Sequence, residues 1–445
     1  MKTPIVDFVK AYTESDTARF HMPGHKGKAM LGCEPLDITE IAGADCLYSA
    51  DGVILESEDN ATALFGTAHS FYSAEGSTLT IKAMLALVTE DARSRGERPL
   101  VIAARNAHKA FINASALLDI AVKWIYPENN EHMCECRINA HDVEKAITES
   151  AVKPSAVYLT SPDYLGNICD IKSISEVCKK HGTALCVDNA HGAYLKFLSE
   201  SAHPIDLGAD IVCDSAHKTL PVLTGGAYLH ISQSATKYLE RSRDYLSLFA
   251  STSPSYLILE SLDLCNKYLA EDYRGELAGF IKKFDILKAN AAALGFKVLA
   301  SEPLKLVIDA NASGYTGTEL AELLRKKDIE SEFSDNKYLV LMATPQNGEC
   351  DIERLVAALS AIEHHAPITS TPPKYPKTEQ AMSIRAAMLS PTETVRVEDA
   401  NGRICGTPAV SCPPAVPIIA SGERVTDEVI DLLQFYGTEY IKVIK

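Results

Sequence analysis

The chain has 445 residues, 46% of them hydrophobic and 23% charged, a composition typical of a globular protein with two or three domains. Its formal net charge of −16 argues against a nucleic-acid partner, because phosphate binding needs a basic surface. There is no apolar leader and no long apolar run, and the 12 cysteines lack the spacing of a disulfide framework, so we expect a protein of the reducing cytoplasm without a membrane span.

The first 220 or so residues are predicted to alternate between helices and strands. A short helix is expected over 4–12, followed by the Pro- and Gly-punctuated loop FHMPGHKG. Helical spacing and short apolar runs then predict a helix over 77–95, a strand over 99–104, a helix in ASALLDI, a strand in AVKWIYP, a helix in HDVEKAITES, a strand in AVYLTSP, a helix in SISEVCKKHG, and strands in ALCVDNA and DIVCDSA. This alternation predicts an α/β domain with a mostly parallel sheet.

The pattern changes in the last part of the chain. The predicted elements there are a long helix in ELAGFIKKFDILKANAAALG, a strand region in KVLASEPLKLVIDA, a helix in TGTELAELLRKKD, a strand in YLVLMATP and a helix in DIERLVAALSAIEHH, before the Pro-rich segment APITSTPPKYP. We therefore predict three parts: an N-terminal segment with the large domain over 1–270, a small α+β domain over 271–366, and a linker with a C-terminal α+β domain over 367–445.

Polar residues follow three consecutive predicted strands: Ser161, Asp188, and the run from Ser215 to Lys218. Ligands of open α/β sheets bind beyond the carboxyl ends of the strands, so we expect these residues at one site. Burial lowers the pKa of a lysine and makes its neutral amine available. A lysine that reacts with an aldehyde and a carboxylate that keeps a pyridine nitrogen protonated are what pyridoxal phosphate requires. For an isolated aspartate, a helix cap or a salt bridge is the alternative.

Two further features are compatible with that cofactor. Gly76, Ser77 and Thr78 open a predicted helix, where backbone N–H groups and hydroxyls can face a phosphate. Ordinary capping by Ser or Thr is the alternative. His108 follows a strand and offers a flat ring for the pyridine face, although a lone histidine is more often structural. The order and spacing of all these residues are those of a fold-type-I pyridoxal enzyme.

Several longer motifs make a resemblance specific. FHMPGHKG, LFGTAHSFYSAEGST, ARNAHKAF, VDNAHGAYLKF, CDSAHKTLPVLTGG and STSPSYLILESLD, in this order, resemble the Orn/Lys/Arg decarboxylase family in its short bacterial form. The resemblance implies a fold-type-I large domain like that of aspartate aminotransferase, a small α+β domain and a C-terminal α+β domain. It also implies pyridoxal 5'-phosphate as the cofactor and a homodimer or higher homo-oligomer with its site at the subunit interface.

The resemblance also implies roles for individual residues. Lys218 resembles the Schiff-base lysine and Asp188 the partner of the pyridine nitrogen. Lys218 or His217 would return a proton to Cα. The remaining cofactor contacts implied are the stacking ring His108, the phosphate ligands Gly76, Ser77 and Thr78, the flanking residues Ser215 and His217, Ala190 beneath the ring, His191 at a position often aromatic in the family, and Thr252 and Ser253 reaching the neighbouring subunit's cofactor.

Two other segments bear on the substrate. The family's Tyr-Pro-Pro-Gly-Ile-Pro and Pro-Gly-Glu patterns correspond here to CPPAVP and to Ser421-Gly422-Glu423, so Cys412, Ala415 and Ser421 depart from the family while Glu423 is kept. We expect Glu423 and His25 to contact the substrate. For FHMPGHKG, which also contains His21 and Lys26, a structural or entrance-lining role is favoured over direct catalysis.

The predicted reaction is decarboxylation of a basic L-amino acid to its amine and CO₂, with arginine favoured over lysine or ornithine and polyamine synthesis as its purpose. Residues alone give only a pyridoxal enzyme acting at Cα, since the bond that breaks depends on how the substrate carboxylate is held. An aminotransferase or lyase of the same fold, or a non-catalytic pyridoxal-binding regulatory protein, are the alternatives. The run from His132 to Cys136 lacks a second ligand pair, so we interpret it as a polar surface loop and predict no metal.

Overall fold

The computed structural model describes residues 1–126, 132–135, 137–369, 372–408 and 415–445. Its strands are β1 His69–Ser73, β2 Leu100–Ala104, β3 Ala121–Ile125, β4 Ala156–Thr160, β5 Ala184–Asp188, β6 Ile211–Asp214, β7 Ala227–Ile231, β8 Lys297–Leu299, β9 Lys305–Asp309, β10 Phe333–Ser334, β11 Tyr338–Met342, β12 Thr392–Arg396 and β13 Tyr440–Ile444.

The α-helices among these residues are α1 Pro4–Glu14, α2 Val53–Phe65, α3 Gly76–Val88, α4 Glu90–Ser94, α5 Lys109–Leu117, α6 Ala140–Thr148, α7 Ile171–His181, α8 Ala216–Thr219, α9 Leu239–Phe249, α10 Tyr256–Glu271, α11 Tyr273–Ala293, α12 Gly317–Arg325, α13 Glu349–Ser360, α14 Ile384–Leu389 and α15 Asp427–Phe435. Within the described ranges, no helix is both long enough and apolar enough to cross a bilayer.

The largest sheet has seven strands in the order β1-β7-β6-β5-β4-β2-β3. β2 pairs with β3, and β5 with β6, in parallel, whereas β7 is antiparallel to both β6 and β1. The predicted α/β fold with a mostly parallel sheet is thus confirmed. The register of β1 with β7 runs from His69 opposite Ile231 to Ser73 opposite Ala227. Neither strand was predicted from the sequence, since polar residues interrupt both.

The chain divides into two compact units. The first consists of Met1–Glu97, Ser155–Tyr158 and Ile171–Glu276, and the second of Arg98–Pro154, Leu159–Asp170 and Leu277–Lys445. The second unit contains a four-stranded sheet of order β10-β11-β9-β8 and the antiparallel pair β12–β13. The three predicted domains and the two boundaries between them stay predictions.

Most predicted elements are observed with ends shifted by a few residues, but two differ in kind. The helix expected over 77–95 is divided into α3 and α4 at Thr89, whose Oγ1 donates to the Leu85 and Ala86 carbonyl oxygens. Such back-bonding competes with the helical ladder. In KVLASEPLKLVIDA the structure has two antiparallel strands, β8 and β9, because the intervening Ser-Glu-Pro reverses the chain.

Candidate active site

Asp188 is the last residue of β5 and is 2% exposed. Its Oδ2 accepts a hydrogen bond from the Tyr158 hydroxyl at 3.0 Å, and its Oδ1 accepts from the Ala190 backbone N–H at 3.2 Å and from the Cys213 thiol at 3.5 Å. Burial, followed by the nearby Asp188 charge, raises the pKa of both Tyr158 and Cys213, which keeps them protonated as donors. The carboxylate is therefore held by three donors in an apolar setting, with Ala190 buried beside it.

Lys218 lies in the short helix α8, directly after β6. Its Nζ is 3.2 Å from Nε2 of His191, a buried histidine that follows β5. The structure thus brings together two of the residues singled out from the sequence. The Nδ1–H of the neighbouring His217 donates to the Gly226 carbonyl oxygen at 2.9 Å. Burial lowers the pKa of His217, so this imidazole is neutral at pH 7.

The start of α3 has the features of an anion site. Gly76 has φ +68°, a conformation that favours glycine, and no heavy atom lies within 4 Å of where a Cβ would stand. The Ser215 hydroxyl donates to the Ser77 hydroxyl at 2.8 Å, and Thr78 is exposed. The first N–H groups of any helix lack partners within that helix, so an anion can accept from them.

The Gly-Gly pair after Lys218 shapes this region. The Gly76 N–H donates to the Gly225 carbonyl oxygen at 2.7 Å. Gly225 has φ +104°, and a Cβ there would lie 2.9 Å from the Ala74 carbonyl oxygen. Only glycine fits so close an approach, and the chain after Lys218 therefore passes directly against the start of α3.

The segment that carries Thr252 and Ser253 is exposed and follows α9. The Ser251 N–H donates to Glu75 Oε1 at 2.6 Å, and the Ser253 N–H donates to the Ser251 hydroxyl at 3.1 Å. Within one chain, this segment is therefore held beside the residue that precedes Gly76. Its expected reach into a neighbouring subunit stays a prediction.

His25 lies in the N-terminal loop of the first unit. Its Nε2 is 3.2 Å from Asp37 Oδ2, and its Nδ1 accepts from the Gly27 N–H at 3.0 Å. Both ring nitrogens are thus engaged in fixing the loop. This arrangement is compatible with the structural role favoured for FHMPGHKG, while substrate contact by His25 stays a prediction.

His108 and Glu423 belong to the second unit. His108 caps α5, with its Nδ1 accepting from the Ala110 N–H at 3.1 Å, and it is half-buried. Glu423 is 1% exposed and pairs with Arg105, whose Nη2 is 3.1 Å from Oε2. The departures at Ala415 and Ser421 are both buried, whereas Cys412 lies outside the described residues.

The interpretation of the run beginning at His132 as a polar surface loop was wrong. His132 is 3% exposed and Cys134 is 1% exposed, and Cys136 lies outside the described residues. The His132 Nε2 pairs with Asp335, and its ring packs edge-on against Tyr338 and other aromatic rings. A histidine satisfied by a carboxylate and enclosed by rings is stable inside the protein, which residue polarity alone did not indicate.

A buried network not identified from the sequence centres on Asp214. Its Oδ2 accepts from His203 Nε2 at 2.9 Å and from His230 Nε2 at 3.1 Å, and its Oδ1 accepts from Asn189 Nδ2 at 2.7 Å. The two imidazoles hold the pKa of Asp214 well below its usual value although burial alone would raise it.

The ring of His203 shows that this cluster is a hydrogen-bond network and not a metal site. Because His203 Nδ1 accepts from the Ile205 N–H, its Nε2 carries the proton and donates to Asp214. The one feature of the sequence that could have indicated this network is the charged Asp214 at the end of the apolar strand β6.

Comparison with known proteins identifies the family. The model of the Orn/Lys/Arg decarboxylase major domain matches residues 3–293, and that of the Orn/Lys/Arg decarboxylase C-terminal domain matches residues 367–440. The chain belongs to this family. It is therefore a pyridoxal-phosphate-dependent amino-acid decarboxylase.

Relatives of this decarboxylase span nearly its whole length. The chain is 29% identical to an arginine decarboxylase of Bacillus subtilis, over 97% of the chain and 93% of the relative, and 28% identical to an arginine decarboxylase of Halalkalibacterium halodurans, over 96% and 91%. The fold is that of the lysine decarboxylase LdcF of Francisella novicida, with a TM-score of 0.82, 16% identity and coverage of 100% of this chain and 81% of that one.

The residues of the first unit fit the cofactor that the family and fold imply. The buried Asp188 carboxylate can hold a protonated ring nitrogen, and the Lys218 amine follows the next strand. The open space at Gly76, next to Ser77 and Ser215, suits a phosphate.

Proposed function

We propose that this protein decarboxylates a basic L-amino acid, with arginine as the first candidate and lysine or ornithine next, and that it serves polyamine synthesis in the cytoplasm. The observation that carries the proposal is the arrangement of buried Asp188, Lys218 and the open start of α3 in a chain of this family. The preference for arginine rests on the relatives named arginine decarboxylase that match along almost the full length of the chain.

In this proposal each residue has a distinct task. Lys218 would hold the cofactor through its amine and Asp188 through the ring nitrogen. Contacts with the ring faces, the phosphate and the partner's cofactor are proposed for His108, Ala190, His191, Gly76, Ser77, Thr78, Ser215, Thr252 and Ser253. Pyridoxal phosphate, when bound, supplies an electron sink for the bond that breaks at Cα.

Proton return to Cα is best assigned to Lys218. Because burial lowers the pKa of His217, that imidazole carries no spare proton at neutral pH, and its Nδ1–H is already donated to Gly226. Lys218 is the other candidate, and its Nζ stands 3.2 Å from His191 Nε2, which can orient it. His217 therefore serves better as a neutral group that fixes the turn after β6.

We also propose that the protein is a homo-oligomer. Three apolar side chains of the N-terminal loop are almost fully exposed: Phe20 at 96%, Met30 at 88% and Leu31 at 90%. Large apolar side chains clustered along one short segment favour burial against another surface. A second copy of the chain is the occupant we propose, with the Thr252 segment contributing to the partner's site.

The test is to incubate the purified, pyridoxal-loaded protein separately with arginine, lysine and ornithine, and to follow CO₂ and amine by mass spectrometry. We expect agmatine from arginine at the highest kcat/KM. A keto acid instead of CO₂ would favour an aminotransferase. No product from any of the three amino acids would contradict the proposed substrate class.

A further inference from the structure

Arg105 is a buried arginine that binds the C-terminal segment within the second unit. It follows β2 directly and is 1% exposed. Its Nη1 donates to the Pro417 carbonyl oxygen at 3.2 Å, and its Nη2 donates to the Ile418 carbonyl oxygen at 3.2 Å and to Glu423 Oε2 at 3.1 Å. One guanidinium therefore ties three residues of the segment 417–423 to the end of β2, using the fixed fork geometry of arginine.

Aromatic rings enclose the same guanidinium. The Arg105 Cζ lies 4.9 Å from the centroid of the Trp124 ring, 5.3 Å from that of Tyr375 and 6.0 Å from that of Tyr126. Burial would lower the pKa of Arg105, but the Glu423 carboxylate, aided by the tyrosines, raises it above its ordinary value. The guanidinium is therefore permanently charged, and the Glu423 carboxylate and the aromatic rings around it balance that charge inside the protein.

His108 stands three residues after Arg105, in the same turn. The next residue, Lys109, donates its backbone N–H to the Ala415 carbonyl oxygen at 2.9 Å. The turn that carries His108 is thus bonded to the C-terminal segment on both sides, at Arg105 and at Lys109. The hydroxyl of Tyr375 adds bonds to the carbonyl oxygens of Pro417 and Ile418, at 2.6 and 3.0 Å.

We propose that Arg105 and Glu423 are positioning residues that fix the turn carrying His108, and that Glu423 acts through Arg105 rather than by binding the substrate. The inference rests on the proposed function in one respect, namely the contact of His108 with the cofactor ring. Glu423 Oε2 already accepts from both Arg105 and the Ala420 N–H, the latter at 2.7 Å, so its charge balances a cation of the protein itself.

The only tryptophan of the sequence, Trp124, packs on Arg105 and provides a local readout. Glu423→Ala should red-shift the Trp124 emission, raise its quenching by acrylamide in the apoprotein, and weaken pyridoxal phosphate binding about tenfold, because a buried guanidinium loses its carboxylate. Glu423→Gln should show much smaller changes in emission and cofactor affinity, since one carbonyl oxygen can accept both bonds that Oε2 accepts now. The KM for the amino acid should stay within about threefold of wild type in Glu423→Gln.

Matched variants keep the test decisive. Arg424→Gln removes an exposed ion pair with Glu379 next to Glu423 in sequence, and should change none of the readouts. Tyr375→Phe keeps the ring but removes the two hydroxyl bonds, and should shift Trp124 emission to the red. This variant provides the test if Glu423→Ala fails to fold.

The proposal is overturned if both Glu423 variants leave Trp124 emission and cofactor affinity unchanged and raise the KM for the amino acid instead. It is also overturned if Trp124 responds while cofactor affinity does not, because Arg105 would then stabilise the C-terminal segment alone. Trp124 emission and cofactor affinity are measured without turnover and only the KM requires it, so a failure of the proposed decarboxylation would be recognised separately.

Discussion

The Tyr158 hydroxyl donates a hydrogen bond of 3.0 Å to the Asp188 carboxylate, and both side chains are buried. Tyr158 lies in the middle of β4, and Asp188 ends the neighbouring strand β5 of the large sheet. Together with Cys213 and the Ala190 N–H, Tyr158 sets the orientation of the carboxylate that we assign to the cofactor ring.

Tyr158→Phe tests that bond. We expect a loss of about 1 kcal/mol in the free energy of unfolding and a fall in kcat of roughly tenfold, since Asp188 Oδ2 loses its donor inside the protein. Chemical denaturation and steady-state kinetics measure the two quantities. Tyr228→Phe is the matched control, because Tyr228 is equally buried and its hydroxyl bonds Asn266 instead. Equal effects on kcat in both variants would contradict the role of Tyr158.

Lys218→Ala tests the assignment of the amine. We expect decarboxylation to fall by about a thousandfold or more, because no other group in α8 offers a primary amine. CO₂ release and the absorbance of the bound cofactor should both change. Lys237→Ala removes an exposed lysine and should behave like wild type. Wild-type CO₂ release from Lys218→Ala would refute the proposed chemistry.

Stability should fall in mild acid because of His230. Burial lowers the pKa of this histidine despite its bonded Asp214, so the folded state binds its proton less readily than the unfolded state. Stability is then lost as the pH falls below the unfolded value of about 6.5, with a slope of up to about 1.4 kcal/mol per pH unit for one proton.

Urea unfolding between pH 8 and pH 5 measures that slope. His230→Gln should lower stability at pH 8, where its bonds to Asp214 and Ser70 are lost, and should flatten the pH dependence. His141→Gln, at an exposed histidine, should leave the wild-type slope intact. An unchanged slope in His230→Gln would assign the proton uptake to other groups.

The exposed apolar side chains of the N-terminal loop predict a change of oligomeric state on substitution. If the protein is the homo-oligomer proposed above, Phe20→Glu with Leu31→Glu should lower its mass in light scattering to that of a monomer, because two carboxylates would be buried without partners at the contact. Val152→Glu, at an exposed valine in the second unit, should leave the mass unchanged. A monomeric wild type would contradict the proposed homo-oligomer, and an unaltered mass of an oligomeric double variant would contradict the proposed contact.

Local patterns in the sequence were enough to predict most of the helices and strands, because the spacing of hydrophobic residues reflects the burial of one face of each element. They also indicated Asp188 and Lys218, since Asp188 ends an apolar strand and Lys218 comes four residues after the end of another. The antiparallel pair β1–β7 was not predictable in this way, because its register joins His69 to Ile231 across a long stretch of chain.

What only the tertiary structure decided is how the polar side chains pair. Asp214 receives bonds from His203, His230 and Asn189, and Glu423 meets Arg105 although 318 positions separate them. The sequence by itself determined which residues carry charge or hydrogen-bonding groups and on which elements they stand. It could not specify which of them meet, because a buried polar group accepts any partner of suitable geometry and the fold alone brings one within 3 Å.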